Sequence, residues 1–276
     1  MRYPFIGRRI PAIVALAASI GAAARAQDNP GPRLVISLIS ADKRFEAGKD
    51  AWLGLHFQIE KGWHIYWQNP GDSGEPPRVE WKLTKGIAIG AIEWPYPQRL
   101  EHSSIADYGY ENDAVLPIKI NIAANAAAGP ARIDATVKWL VCSDICIPGK
   151  SNLYIVRDVT TDPPAEDTAA AQMIRAARAR VPRPLPASWR ASAELAKSEF
   201  TLHFQTGEKI ASAQFFPTEA GIIENAASQE FTLAKQGFML RLERTHELLK
   251  PVARLKGVVV LGSGSAYAVS LPFTTK

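Results

Sequence analysis

The only two cysteines of this 276-residue chain stand four positions apart in the stretch WLVCSDICIPGK, as Cys142 and Cys146. Such a pair can act as a local disulfide clip, as part of a metal site, or as a dithiol that exchanges electrons. Metal binding fits poorly: two thiols supply two ligands where zinc usually takes four in CxxC or HxxxH spacings. The five histidines, His56, His64, His102, His203 and His246, are scattered and form no ligand motif. Capture of Cu(I) by the two thiolates is chemically allowed, but no methionine or histidine neighbours them in sequence. The expectation is therefore no metal and no cofactor.

The spacing constrains the backbone. Along one extended strand, positions i and i+4 lie about 13 Å apart, whereas a disulfide needs Cα atoms within about 7 Å. A turn at Ser143-Asp144-Ile145 resolves this and sets Cys142 opposite Cys146 on neighbouring antiparallel strands. Alternation puts Ile133, Ala135, Val137, Trp139 and Val141 on the apolar face and both cysteines on the other, so both sulfurs are expected to face away from the core. Closing so small a loop stabilises a fold by only about 2 kcal/mol in the chain-entropy model. A disulfide at a hairpin tip is also reachable by an attacking thiolate. On the residues alone, a clip and a redox couple both stay open.

The elements that must hold this hairpin read as β-structure. RLVISLIS, AWLGLHFQI, GWHIYW, GIAIGAIEW, AVLPIKINIA, ARIDATVKWLVC and SNLYIVRDV are strand-like runs; in the second, Leu53, Leu55, Phe57 and Ile59 share a face. These runs predict an all-β chain that begins with an immunoglobulin-like antiparallel sandwich. The rhythm stops at TTDPPAEDTAAAQMIRAARARVPRPLP, where an acidic start, a basic finish and a proline stop predict one helix and a stiff linker. The helix's alanine and arginine mix reads as a solvated face rather than a docking surface. EFTLHFQ, ASAQFFP, EFTLAKQ, FMLRLER, RLKGVVVLG and AYAVSLPF then predict a second, smaller β-domain.

The chain opens MRYPFIGRRIPAIVALAASIGAAARAQDN, with early arginines, an alanine-rich apolar run and Ala24-Arg25-Ala26 before Gln27, the layout of a secretory leader. Export to the periplasm would place the cysteines in an oxidising compartment. The net charge of +5 includes four leader arginines, so the processed chain sits near about +1. That balance removes the case for nucleic-acid binding. The expected divisions are residues 1–26 as signal peptide, 27–160 as the immunoglobulin-like domain, 161–188 as helix and linker, and 189–276 as the second β-domain.

VKWLVCSDICIPG, with GWHIYWQNPGDSGEPPRVEW, IEWPYPQRL, ADYGYENDAVLPIKI and FFPTEAGIIENAASQ, resembles the N-terminal periplasmic region of thiol:disulfide interchange proteins of the DsbD and ScsB type. The resemblance covers most of the processed chain, and the GWHxYWxNPGDSG and WLVCxxxCIP stretches are its most specific parts. It implies that Cys142 and Cys146 are a redox couple, reduced by a membrane-embedded partner and passing electrons to thioredoxin-fold periplasmic proteins. In the DsbD branch an aromatic cap loop shields the pair; the matching ADYGY segment makes Tyr108 the expected shield, with Asp107 beside it. Tyr66 and Trp67 are expected to line the same site, with Asp144 in the turn. DsbD-branch cysteines are spaced more widely, so the order of attack does not carry over. The sequence stops at Lys276 before any membrane or thioredoxin-like segment, so the reductant is expected to be a separate protein.

Elsewhere the residues read as structural. Trp63, Trp67, Trp81 and Trp94 are expected in the core or on sheet faces. His64 is expected as a strand residue with a satisfied ring, and Asn69-Pro70-Gly71-Asp72 as a turn. The competing function is a periplasmic interaction module whose disulfide is only structural, serving envelope assembly or copper tolerance.

Overall fold

The computed structural model describes residues 33–246 and 253–274. The expected leader, residues 1–26, lies outside them. Eleven strands come first: β1 (Leu34–Ser40), β2 (Arg44–Glu46), β3 (Asp50–Ile59), β4 (His64–Gly71), β5 (Arg78–Leu83), β6 (Ile87–Ile92), β7 (Gln98–His102), β8 (Ile105–Glu111), β9 (Asp113–Ile122), β10 (Gly129–Cys142) and β11 (Cys146–Thr160). They form a four-stranded sheet in the order β1-β3-β9-β6 and a seven-stranded sheet in the order β2-β11-β10-β4-β8-β7, with β5 also paired to β10. One apolar cluster fills the space between them, as expected for an immunoglobulin-like sandwich. Its inward residues follow the period of two: Leu53, Leu55 and Phe57 of β3 and Ile133 and Val137 of β10 are fully buried.

Helix α1 (Thr168–Ala179) follows, capped by Asp167, whose carboxylate accepts from the Ala170 N–H. The expectation of a solvated helix is corrected here. Ala170, Ala171, Ile174 and Ala177 are buried, and Ile174 packs in a cluster with Val115, Ile39 and Trp52 of the four-stranded sheet. Small alanines let the helix lie close, and Gly54 beneath it permits the approach: a Cβ there would fall 2.8 Å from Val115 and 3.1 Å from Ile174. Arg178 lies over the Trp52 ring, its guanidinium carbon 3.6 Å from the ring centroid, so the arginine joins the docking as a cation–π contact.

The remaining strands are β12 (Arg183–Pro184), β13 (Arg190–Leu195), β14 (Glu199–Gln205), β15 (Ala213–Pro217), β16 (Glu230–Ala234), β17 (Gly237–Glu243), β18 (Arg254–Leu261) and β19 (Ala266–Thr274). They pair as β15-β18-β19-β13-β14-β17-β16 with β12 on β19, around a second apolar cluster that includes Phe200, Phe204, Phe215 and Phe238. This part reaches into the first: Phe216 of β15 packs with Trp67 and Tyr108. The Asn69 side chain donates to the Pro217 carbonyl at 2.7 Å. The expected turn at Asn69–Asp72 is thus the end of β4 and a fastening point between the two clusters. Among the described residues no helix is long and apolar enough to cross a membrane.

The candidate redox site

Strands β10 and β11 pair in unbroken register from Gly129↔Val159 to Cys142↔Cys146, and the two cysteines form a disulfide with Cα atoms 4.1 Å apart. The turn falls where the spacing requires it, with the Ser143 N–H bonded to the Ile145 carbonyl and Asp144 exposed at the tip. Both sulfurs share the face opposite the core, since Val141 enters the core cluster and Cys142 does not. Their exposure differs, which parity alone does not predict. Cys142 is 1% exposed, whereas Cys146 is exposed. The reason lies in the sheet order. Cys142 has β11 on one side and His64 of β4 on the other, while β2 pairs with β11 only at Asp158–Thr160 and leaves Cys146 at an open edge.

The same outer face carries a polar cluster. Cross-strand partners share a face, so His64, Tyr66 and Asp107 lie with Cys142, while Ile65, Trp67, Tyr108 and Tyr110 point into the core. The Tyr66 hydroxyl is 3.7 Å from Cys146 Sγ and 3.4 Å from Ser73 Oγ. Ser73 anchors Asp107: its N–H donates to Oδ1 and its hydroxyl to Oδ2, each at 2.9 Å. With the one Ser73 proton committed to the carboxylate, the Tyr66 proton is left to point at Ser73 Oγ or at the sulfur. Gly74, at φ +77°, makes room for this ring, because a Cβ there would lie 2.0 Å from the Tyr66 ring.

Next to Tyr66, the His64 ring meets it edge-on at 5.0 Å and stacks on His102 at 5.3 Å. Burial, and secondarily the charge of His102, pull the His64 imidazole down to about 4, so it is neutral at neutral pH. Its Nε2 lies 3.8 Å from Asp107 Oδ2, too far for a hydrogen bond and, with the ring neutral, no ion pair. The expectation of a satisfied ring is therefore corrected: among the described residues, buried His64 Nε2 has no hydrogen-bond partner. Burial raises the Asp107 carboxyl above its ordinary range, with the two Ser73 hydrogen bonds opposing the rise.

Two further expectations change. ADYGY is not a loop over the disulfide but part of β8, between β4 and β7. Tyr108 is fully buried on the core side, donating to Asn225 Oδ1 at 2.8 Å and packing on Phe216. Trp67 likewise faces the core, against Phe216. Of the residues expected around the pair, Tyr66 touches a cysteine sulfur, Asp107 joins through Ser73, and Asp144 sits in the turn. Sequence reasoning missed Ser73, His64 and His102. The alternation of β4, His64 and Tyr66 against Ile65 and Trp67, held the signal for His64.

An immunoglobulin-like sandwich with a cysteine pair at a hairpin tip, one cysteine buried and its partner exposed at a sheet edge, defines a β-protein with a disulfide at an open edge. Residues 37–157 match the family described as "Thiol:disulfide interchange protein DsbD, N-terminal". The N-terminal periplasmic domain of ScsB from Proteus mirabilis has the same fold, with a TM-score of 0.66 at 18% identity over 88% of this chain and 94% of that one. The seventh ScaB type I cohesin of Pseudobacteroides cellulosolvens aligns over 47% of this chain and 96% of that one at 11% identity, but its TM-score of 0.27 carries no argument. No curated protein matches in sequence.

Proposed function

We propose that the chain is a periplasmic electron relay in which Cys142 and Cys146 cycle between disulfide and dithiol. The observation that carries this reading is the asymmetry of the pair, Cys146 exposed and Cys142 buried beside it. A reductant thiolate, fed from a membrane-embedded thiol reductase, attacks Cys146 Sγ. The Cys142–Cys146 bond breaks, Cys142 leaves as a thiolate, and a mixed disulfide forms on Cys146. The reductant's second thiolate then attacks the reductant's own sulfur in the mixed disulfide, Cys146 leaves as a thiolate, and the reductant departs as a disulfide with the pair reduced by two electrons. In the forward step the Cys146 thiolate attacks the disulfide of a thioredoxin-fold partner, and Cys142 resolves the product, returning the pair to its oxidised state.

Tyr66 acts here as both cover and donor, holding a hydroxyl beside Cys146 where it carries negative charge as a thiolate. Beside the hairpin, a surface groove of about 460 Å³ lined by Lys138, Trp139, Leu140, Pro148 and Lys150 offers a visiting protein an apolar floor with cationic edges. Residues 27–160 serve as the redox domain, 161–188 as the connecting helix and linker, and 189–276 as a β-domain that buttresses it.

The C142S variant tests this reading. It leaves Cys146 able to attack but nothing to resolve the product, so a mixed disulfide with a thioredoxin-fold partner should accumulate in a periplasmic extract and disappear with dithiothreitol. A folded variant that traps no such adduct would support the alternative of a structural clip.

A further inference from the structure

We propose that the outer face of the seven-stranded sheet holds a divalent cation of the zinc class on His64, His102 and Asp107, alongside the disulfide. One ligand atom from each of these residues lies within 4.8 Å of the other two. A tetrahedral ion with bonds of about 2.0–2.1 Å spaces its ligands about 3.4 Å apart. The 3.8 Å between His64 Nε2 and Asp107 Oδ2 is already close to that edge. His102 is exposed, so its ring can swing the remaining distance and the ion can enter from solvent.

A second observation points to a ligand. The His64 side chain is 3% exposed, and its Nε2 faces the cluster with no hydrogen-bond partner among the described residues. A buried polar atom left unmatched is costly, and a bound ion would satisfy it. Asp107 is oriented by Ser73 through one hydrogen bond to each oxygen, the outer-shell support that metal carboxylates commonly have, and a carboxylate retains lone pairs for an ion. Two imidazoles and one carboxylate suit zinc, copper or nickel better than calcium or magnesium. Three protein ligands leave a fourth position open. The site is contiguous with the redox pair, since Ser73 also meets the Tyr66 hydroxyl and Tyr66 meets Cys146.

Calorimetric titration with Zn²⁺ tests this on the oxidised protein, whose disulfide withholds both sulfurs, so the result is independent of whether the pair relays electrons. The expected result is one ion per chain with a Kd on the order of 10 μM or tighter. H102A removes a surface ring without disturbing the core and should weaken binding tenfold or more, as should D107N. H246A, which removes an exposed histidine elsewhere, should leave binding unchanged. A tetrahedral Co²⁺ absorption spectrum, lost in H102A, would report the same ligand set optically. No saturable binding at 100 μM Zn²⁺, on the order of ten times that Kd, would overturn the proposal; so would binding that survives H102A or falls equally in H246A.

Discussion

The Tyr66 hydroxyl lies 3.7 Å from Cys146 Sγ, on the sulfur of the exposed cysteine and not on that of the buried one. The ring is fully buried and is fitted over Gly74, so it is placed by packing rather than by the sulfur contact itself. A phenol so placed shields the sulfur and can donate to the Cys146 thiolate of the reduced pair. Y66F keeps the ring and removes the donor. Loss of one such bond, about 1 kcal/mol, should lower the Cys146 thiolate population of the reduced pair, and with it its alkylation rate, about fivefold at constant pH. Iodoacetamide alkylation of the reduced protein, read by mass, would follow it, and an unchanged rate would leave the ring as a lid alone.

Asn225, from the C-terminal part, joins two groups of the N-terminal sandwich. It accepts from Tyr108 at 2.8 Å and donates to Asp72 Oδ1 at 2.7 Å, while Asp72 Oδ2 holds the Ala106 N–H. N225A leaves the buried Tyr108 phenol without a partner, while exposed Asp72 can turn to water, so it should cost about 1–3 kcal/mol in urea unfolding. A loss under about 0.5 kcal/mol would mean that the two parts are not energetically joined at this point.

Docking of α1 rests on Ile174, which is 1% exposed against Val115 and Ile39. I174A should lower stability by about 2–4 kcal/mol through lost burial and a residual cavity. The rate of disulfide reduction should stay at the wild-type value, because nothing in this cluster touches the cysteine face. A matching fall in both would place the helix in the redox site.

What the sequence made legible was local. The four-residue cysteine spacing and the parity of Ile133 to Val141 located the hairpin tip and the face of the sulfurs, because both follow from strand geometry. The segment ADYGY read as a loop because Asp107 and Gly109 are poor strand formers in isolation. In the sheet Gly109 is required: a Cβ there would lie 2.2 Å from the Ile65 carbonyl oxygen. Tertiary pairing overrides propensity at that residue. His64 and His102 are 38 positions apart and meet only because β7 and β4 flank β8, a pairing no local pattern encodes. Helix α1 was visible from its cap and proline stop, but its buried face depends on Gly54, far away in β3.

An electron relay needs a disulfide that exchanges rather than clips, and the reduction potential of the pair separates the two. Equilibration of the purified protein with defined dithiothreitol ratios, read by alkylation and mass, should place the couple above about −300 mV, within reach of thioredoxin-fold partners. A value well below about −300 mV, beyond the reach of such partners, would contradict the relay and leave Cys142–Cys146 as a structural staple.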